Sequence, residues 1–145
     1  MRSLLAIVSG SIFIIVVIMI LQLAYLFIAI EYKELSADYP LLKEIAPLFR
    51  YIVALPVFAT TLFAGGYITA NIVNMDNRNK VWIHCFFVGL ITVGGMMYSA
   101  LINANLTFTG IVATILAFVA LFAGGSFGLK RQIDSQQVRS DTKLA

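Results

Sequence analysis

One cysteine, one histidine, one tryptophan and three prolines are all that 145 residues hold of these four types. A lone Cys85 excludes an intramolecular disulfide and any multi-cysteine metal site. Its neighbour His84 is the only histidine, and adjacent helix positions point about 100° apart, so the pair cannot act together as nucleophile and base. Charge is also scarce, at 12% of the chain, and only Asp76, Asp134 and Asp141 are acidic after Glu44. No carboxylate pair, metal cluster or nucleophile–base set emerges. The sequence therefore predicts no enzyme, no cofactor and no metal.

Hydrophobic residues fill what charge leaves: they make up 61% of the chain, and mean hydropathy is +0.95. Soluble domains run at roughly 45–50% apolar and about 25% charged, so the expected solvent is a bilayer. A hydrocarbon core about 30 Å thick needs about 20 residues of apolar helix. Four segments qualify, 4–30, 51–73, 81–102 and 108–129, and none contains Asp, Glu, Lys or Arg. Backbone groups in lipid must be satisfied within the segment, which leaves helix as the spanning form. The expectation is an all-α integral membrane four-helix bundle, with a single transmembrane domain over 1–130.

The first apolar run begins at Met1-Arg2 but is about twice the length of a signal-peptide core and ends in Glu31-Tyr32-Lys33 without a small-residue cleavage site. It is read as a retained span, with Gln22 turned toward another helix. Arg2, Arg78, Lys80, Lys130, Arg131, Arg139 and Lys143 fall on one side of the spans, and Lys33, Lys43 and Arg50 on the other. That bias predicts both termini in the cytoplasm. The net charge of +3 thus records insertion, and nucleic acid is not an expected partner. In the first outer loop Leu41, Leu42, Ile45, Leu48 and Phe49 recur at helical spacing, which predicts a short amphipathic helix. The stretch 131–145 is polar, with too little apolar surface to fold alone, and is expected to be disordered beyond one helical turn.

Shifting the second span by 59 residues lays it on the fourth. Leu62-Phe63-Ala64-Gly65-Gly66 meets Leu121-Phe122-Ala123-Gly124-Gly125, and nine of the 22 positions from Phe49 to Ala70 are identical. The reading is a bundle of two tandem helical hairpins, parallel because both copies run from outside to inside, related about an axis along the membrane normal. Glycine inside a helix costs roughly 1 kcal/mol relative to alanine, so adjacent pairs need a reason, and close backbone approach in lipid supplies one. Gly65, Gly66, Gly89, Gly94, Gly95, Gly124, Gly125 and Gly128 are accordingly the candidate helix-packing positions, within the chain or against a neighbour.

Gln22, Thr60, Thr61 and Asn71 are the candidates for a polar path between the hairpins. His84, near the inner boundary beside the expected interface anchor Trp82, is a candidate pH-responsive group. Proton-coupled transport commonly leaves an intramembrane carboxylate, and the spans carry none. Gly65-Gly66-Tyr67-Ile68-Thr69-Ala70, followed by Val81-Trp82-Ile83-His84 and Val88-Gly89, resembles a pattern in small four-span bacterial inner-membrane proteins of uncharacterised function with paired Gly-Gly motifs. The resemblance covers positions 60–95 and implies the topology and a bacterial plasma membrane. The leading expectation is a non-enzymatic membrane protein with a helix-packing, assembly or accessory-subunit role. Its partners would be membrane lipid and either a second copy or a larger membrane protein. The alternative is a small facilitator or channel with its path between the hairpins.

Overall fold

The computed structural model describes residues 2–39, 41, 50–73, 78–102 and 108–144, and among these it contains helices and no strand. α1 runs Arg2–Asp38, α2 Leu55–Val73, α3 Arg78–Ile102 and α4 Phe108–Leu144, with a π-helical turn over Arg50–Ala54 leading into α2. Three of them, α1, α2 and α4, are long and apolar enough to cross a membrane. The π turn stops just short of Pro56, the second residue of α2. Proline has no N–H to offer the preceding turn, and a shifted hydrogen-bond register absorbs the missing donor. Of the amphipathic loop helix expected after Glu31, only Tyr39 and Leu41 belong to the described residues.

Neighbour contacts fix the directions of the helices. Gly10 of α1 lies against Gly65 and Thr69, and Ile14 against Gly65, so α1 and α2 are antiparallel. Gly66 faces Leu121 and Gly125, while Gly128 faces Tyr67 and Ala70, so α2 and α4 run parallel. Gly89 meets Phe118 and Leu121 while Cys85 meets Gly125, which makes α3 antiparallel to α4. It follows that α1 and α3 share a direction. Around the bundle α1 packs on α2, α2 on α4, α4 on α3 and α3 on α1. The α2–α4 contact is the largest, α2 also touches α3, and α1 does not touch α4 among the described residues. A twofold axis between the two halves would make those last two contacts equal, so the four helices do not follow one closely.

One end of the bundle carries Lys80, Lys130 and Arg131 and is called the basic end here; the other is the far end. The core lies toward the basic end. Ile14, Leu62, Val88 and Leu121, one from each helix, are buried together with Val93, Ala117 and Ala120. Closer to the basic end a second cluster joins Ala70, Val81, Cys85 and Leu129. α4 does not stop at Leu129 or fray after one turn; it continues as helix to Leu144. No glycine or proline interrupts the residues from Lys130 to Leu144, so nothing in the backbone chemistry ends it.

Candidate functional site: a glycine seam at the basic end

α2 and α4 meet backbone to backbone. A Cβ added to Gly66 would strike the Leu121 carbonyl, with its carbon at 3.0 Å and the Gly125 nitrogen at 3.1 Å. A Cβ on Gly124 would strike the Phe63 carbonyl in turn, with its carbon at 2.8 Å and the Phe63 Cα at 3.0 Å. Each copy of Leu-Phe-Ala-Gly-Gly therefore presses a glycine against the backbone of the other. One turn further on, Gly128 lies under Ala70 and Tyr67, where an added Cβ would stand 2.9 Å from the Ala70 Cβ and 3.2 Å from the Tyr67 carbonyl oxygen. Lipid tails are as apolar as the helices and give them little reason to associate. Dispersion across such close backbones is the attraction that remains.

The outer faces of the same glycine pairs receive side chains. Gly65 accommodates Ile14 of α1, whereas Gly125 accommodates Cys85 of α3, whose Sγ would be 2.5 Å from an added Cβ. Gly10 on α1 makes room for the Thr69 hydroxyl, and Gly89 on α3 for the Phe118 ring at 2.6 Å. α1 is thus joined to α2, and α3 to α4, by the other glycine of each pair. Aromatic rings flank the seam. Trp82 and Phe122 lie 5.3 Å apart and Phe86 and Phe118 5.8 Å apart between α3 and α4, while Phe63 and Phe127 lie 6.0 Å apart between α2 and α4. Gly94 and Gly95 differ from all of these, because nothing lies within 4 Å of where their Cβ atoms would be.

Hydroxyl groups in the bundle turn back onto their own helices. Thr69 donates to the Gly65 carbonyl at 2.8 Å, Thr61 to Val57 at 2.8 Å, Thr114 to Gly110 at 2.8 Å, and Thr92 to Val88. Thr60 likewise donates to the Val57 carbonyl at 2.9 Å from an exposed position. This bond is the ordinary way to satisfy a threonine in hydrocarbon. Ser11 is the exception: it is buried, and its Oγ has no partner among the described residues.

The four candidate path residues are not brought together. Thr61 is buried, Thr60 is exposed, and Asn71 lies more than two turns away at the end of α2. Gln22, expected to face another helix, is exposed on α1, as is every residue that follows it to Glu31. Asn71 instead accepts a hydrogen bond from the Gln132 side-chain amide at 3.2 Å, and the same nitrogen reaches the Ala70 carbonyl at 3.1 Å. Beside it the Arg131 guanidinium donates to the Tyr67 hydroxyl at 2.8 Å. These bonds tie the C-terminal end of α2, whose last carbonyls lack helical partners, to the continuation of α4. Sequence reasoning missed this tie, since residues 61 and more positions apart share no periodic signal.

His84 is buried, and its Nδ1 donates to the Lys80 carbonyl one turn earlier at 2.6 Å. The ring nitrogen is the donor in this bond, because a carbonyl can only accept. Among the described residues no group of three or more His, Cys, Asp or Glu side chains is placed to hold a metal ion. The chain matches no protein-family model, no curated protein and no solved structure.

Proposed function

We propose that this chain is a non-enzymatic integral membrane protein that works by assembly within the bilayer, as a self-associating unit or as the accessory subunit of a larger membrane complex. In this reading α3 also crosses the membrane, as the third of four spans, the termini are cytoplasmic, and the membrane is a bacterial inner membrane. The two halves, α1–α2 and α3–α4, are tandem hairpins descended from one duplicated unit. The reciprocal glycine contacts of the two Leu-Phe-Ala-Gly-Gly segments support that descent.

One observation carries the assembly role. The glycine seam is taken up inside the bundle, whereas every residue of α1 from Gln22 to Ile30 is exposed, and all but Gln22 are apolar. A helix built only to complete its own bundle has no need of so long a stretch that none of the other described helices covers. The test is native mass spectrometry of the full chain released from lipid nanodiscs. A defined homo-oligomer, or a second polypeptide at fixed stoichiometry, is the expected result. A bare monomer at every protein-to-lipid ratio would overturn the reading.

A further inference from the structure

We infer that the exposed face of α1 centred on Gln22 is a self-association surface, on which a second copy of this chain docks through a parallel α1–α1 pair. The inference rests on the assembly reading above and names its partner. Gln22 is the one carboxamide in the apolar length of α1; it is exposed, and it makes no hydrogen bond among the described residues. Its side chain lies inside the span, nine residues before the first charge at Glu31. An amide left in hydrocarbon without a partner carries a large desolvation penalty, and a hydrogen bond between helices relieves it.

Gln22 also selects the stripe around it. Ile12, Ile15, Met19, Gln22, Leu26 and Ala29 alternate in steps of three and four, and all six are exposed. That spacing is the seam of two helices crossing at a shallow left-handed angle, and a single polar residue in such a seam sets register and stoichiometry. A carboxamide is donor and acceptor at once and so complements itself. Two copies inserted in the same orientation place their Gln22 side chains at the same depth, where each donates to the other across a twofold axis. A different chain would have to bring its own amide to that depth, whereas a second copy does so by construction. The face is free to be used because α1 contacts α2 and α3 through the opposite stripe of Ala6, Gly10 and Ile14.

The experiment measures dimerisation of the full chain in liposomes at varied protein-to-lipid ratio, with disulfide trapping as a second readout. The dissociation mole fraction is expected to rise about tenfold in Gln22→Leu and to stay near the parent value in Gln22→Asn. Helix content should be the same in all three, since position 22 is exposed. Single cysteines at positions 15, 19, 22 and 26, in a Cys85→Ser background, should cross-link, while cysteines at 20, 24 and 28 should not. An undiminished dimer in Gln22→Leu overturns the inference and leaves the assembly reading standing. So does cross-linking on the other face, or a complex made only with a different polypeptide. A wild-type chain that is monomeric at every ratio overturns both.

Discussion

The two ends of this bundle are built on opposite terms. Toward the basic end four helices pack on glycine, with glycine on carbonyl between α2 and α4 at Gly66 and Gly124 and side chains seated on Gly10, Gly65, Gly89 and Gly125. Toward the far end Ile52, Tyr98 and Ile111 are exposed, as is every residue of α1 from Gln22 to Ile30, and α2 begins in a π turn. Glycine is present in both regions, since Gly94 and Gly95 lie on the far-end part of α3. The difference is that Gly66 and Gly124 each meet a second glycine-bearing backbone and Gly94 and Gly95 meet nothing. A small residue permits close approach but does not cause it. The cause is two small surfaces at the same depth, which α2 and α4 supply at Gly66 and Gly124 and α3 does not meet at Gly94 and Gly95.

The sharpest way to break this contrast is to add one methyl group at the seam. Gly66→Ala and Gly124→Ala should each destabilise the bundle by at least about 2 kcal/mol, because the obstacle is a carbonyl and only movement of a whole helix relieves it. Unfolding in mixed micelles measures this, and a variant as stable as the parent would show that the backbones are further apart than described. Gly125→Ala should cost about half as much, since the Cys85 thiol can rotate away. The double variant with Cys85→Ala should show a coupling of about 1 kcal/mol in a double-mutant cycle. Gly94→Ala and Gly95→Ala should have the smallest effect, within about 0.5 kcal/mol and toward greater stability, as alanine replaces glycine in open helix. A marked loss at these two positions would mean that something closes over the far end.

The sequence predicted helices and long apolar runs correctly, because length and hydropathy are local properties and lipid leaves the backbone few choices. The repeated Leu-Phe-Ala-Gly-Gly pointed to positions that lie at the α2–α4 contact. It could not distinguish Gly65-Gly66 from Gly94-Gly95, which look alike along the chain and differ only in what stands opposite. Gln22 was expected to face another helix, and none of the described helices of the same chain covers it: polarity says that a side chain wants a partner, not where one lies. The continuation of α4 was there to be read, since residues 130–144 contain neither glycine nor proline. Low hydrophobicity outweighed that signal. The bonds from Arg131 and Gln132 to α2 depend on the parallel register of α2 and α4, which no periodicity within one helix reports.

Because α4 is continuous, it is also a rigid arm. From its crossing with α2 at Gly124 to Leu144 there are 20 residues of helix, about 30 Å at 1.5 Å per residue. Tilting the arm by about 10° on the glycine contact would sweep its tip through about 5 Å. The fulcrum is a contact of backbone on backbone, and the Arg131–Tyr67 and Gln132–Asn71 bonds lie beyond it, where they oppose that tilt with short leverage. A small rearrangement among the spans would therefore be read out, magnified, at the polar end of the chain.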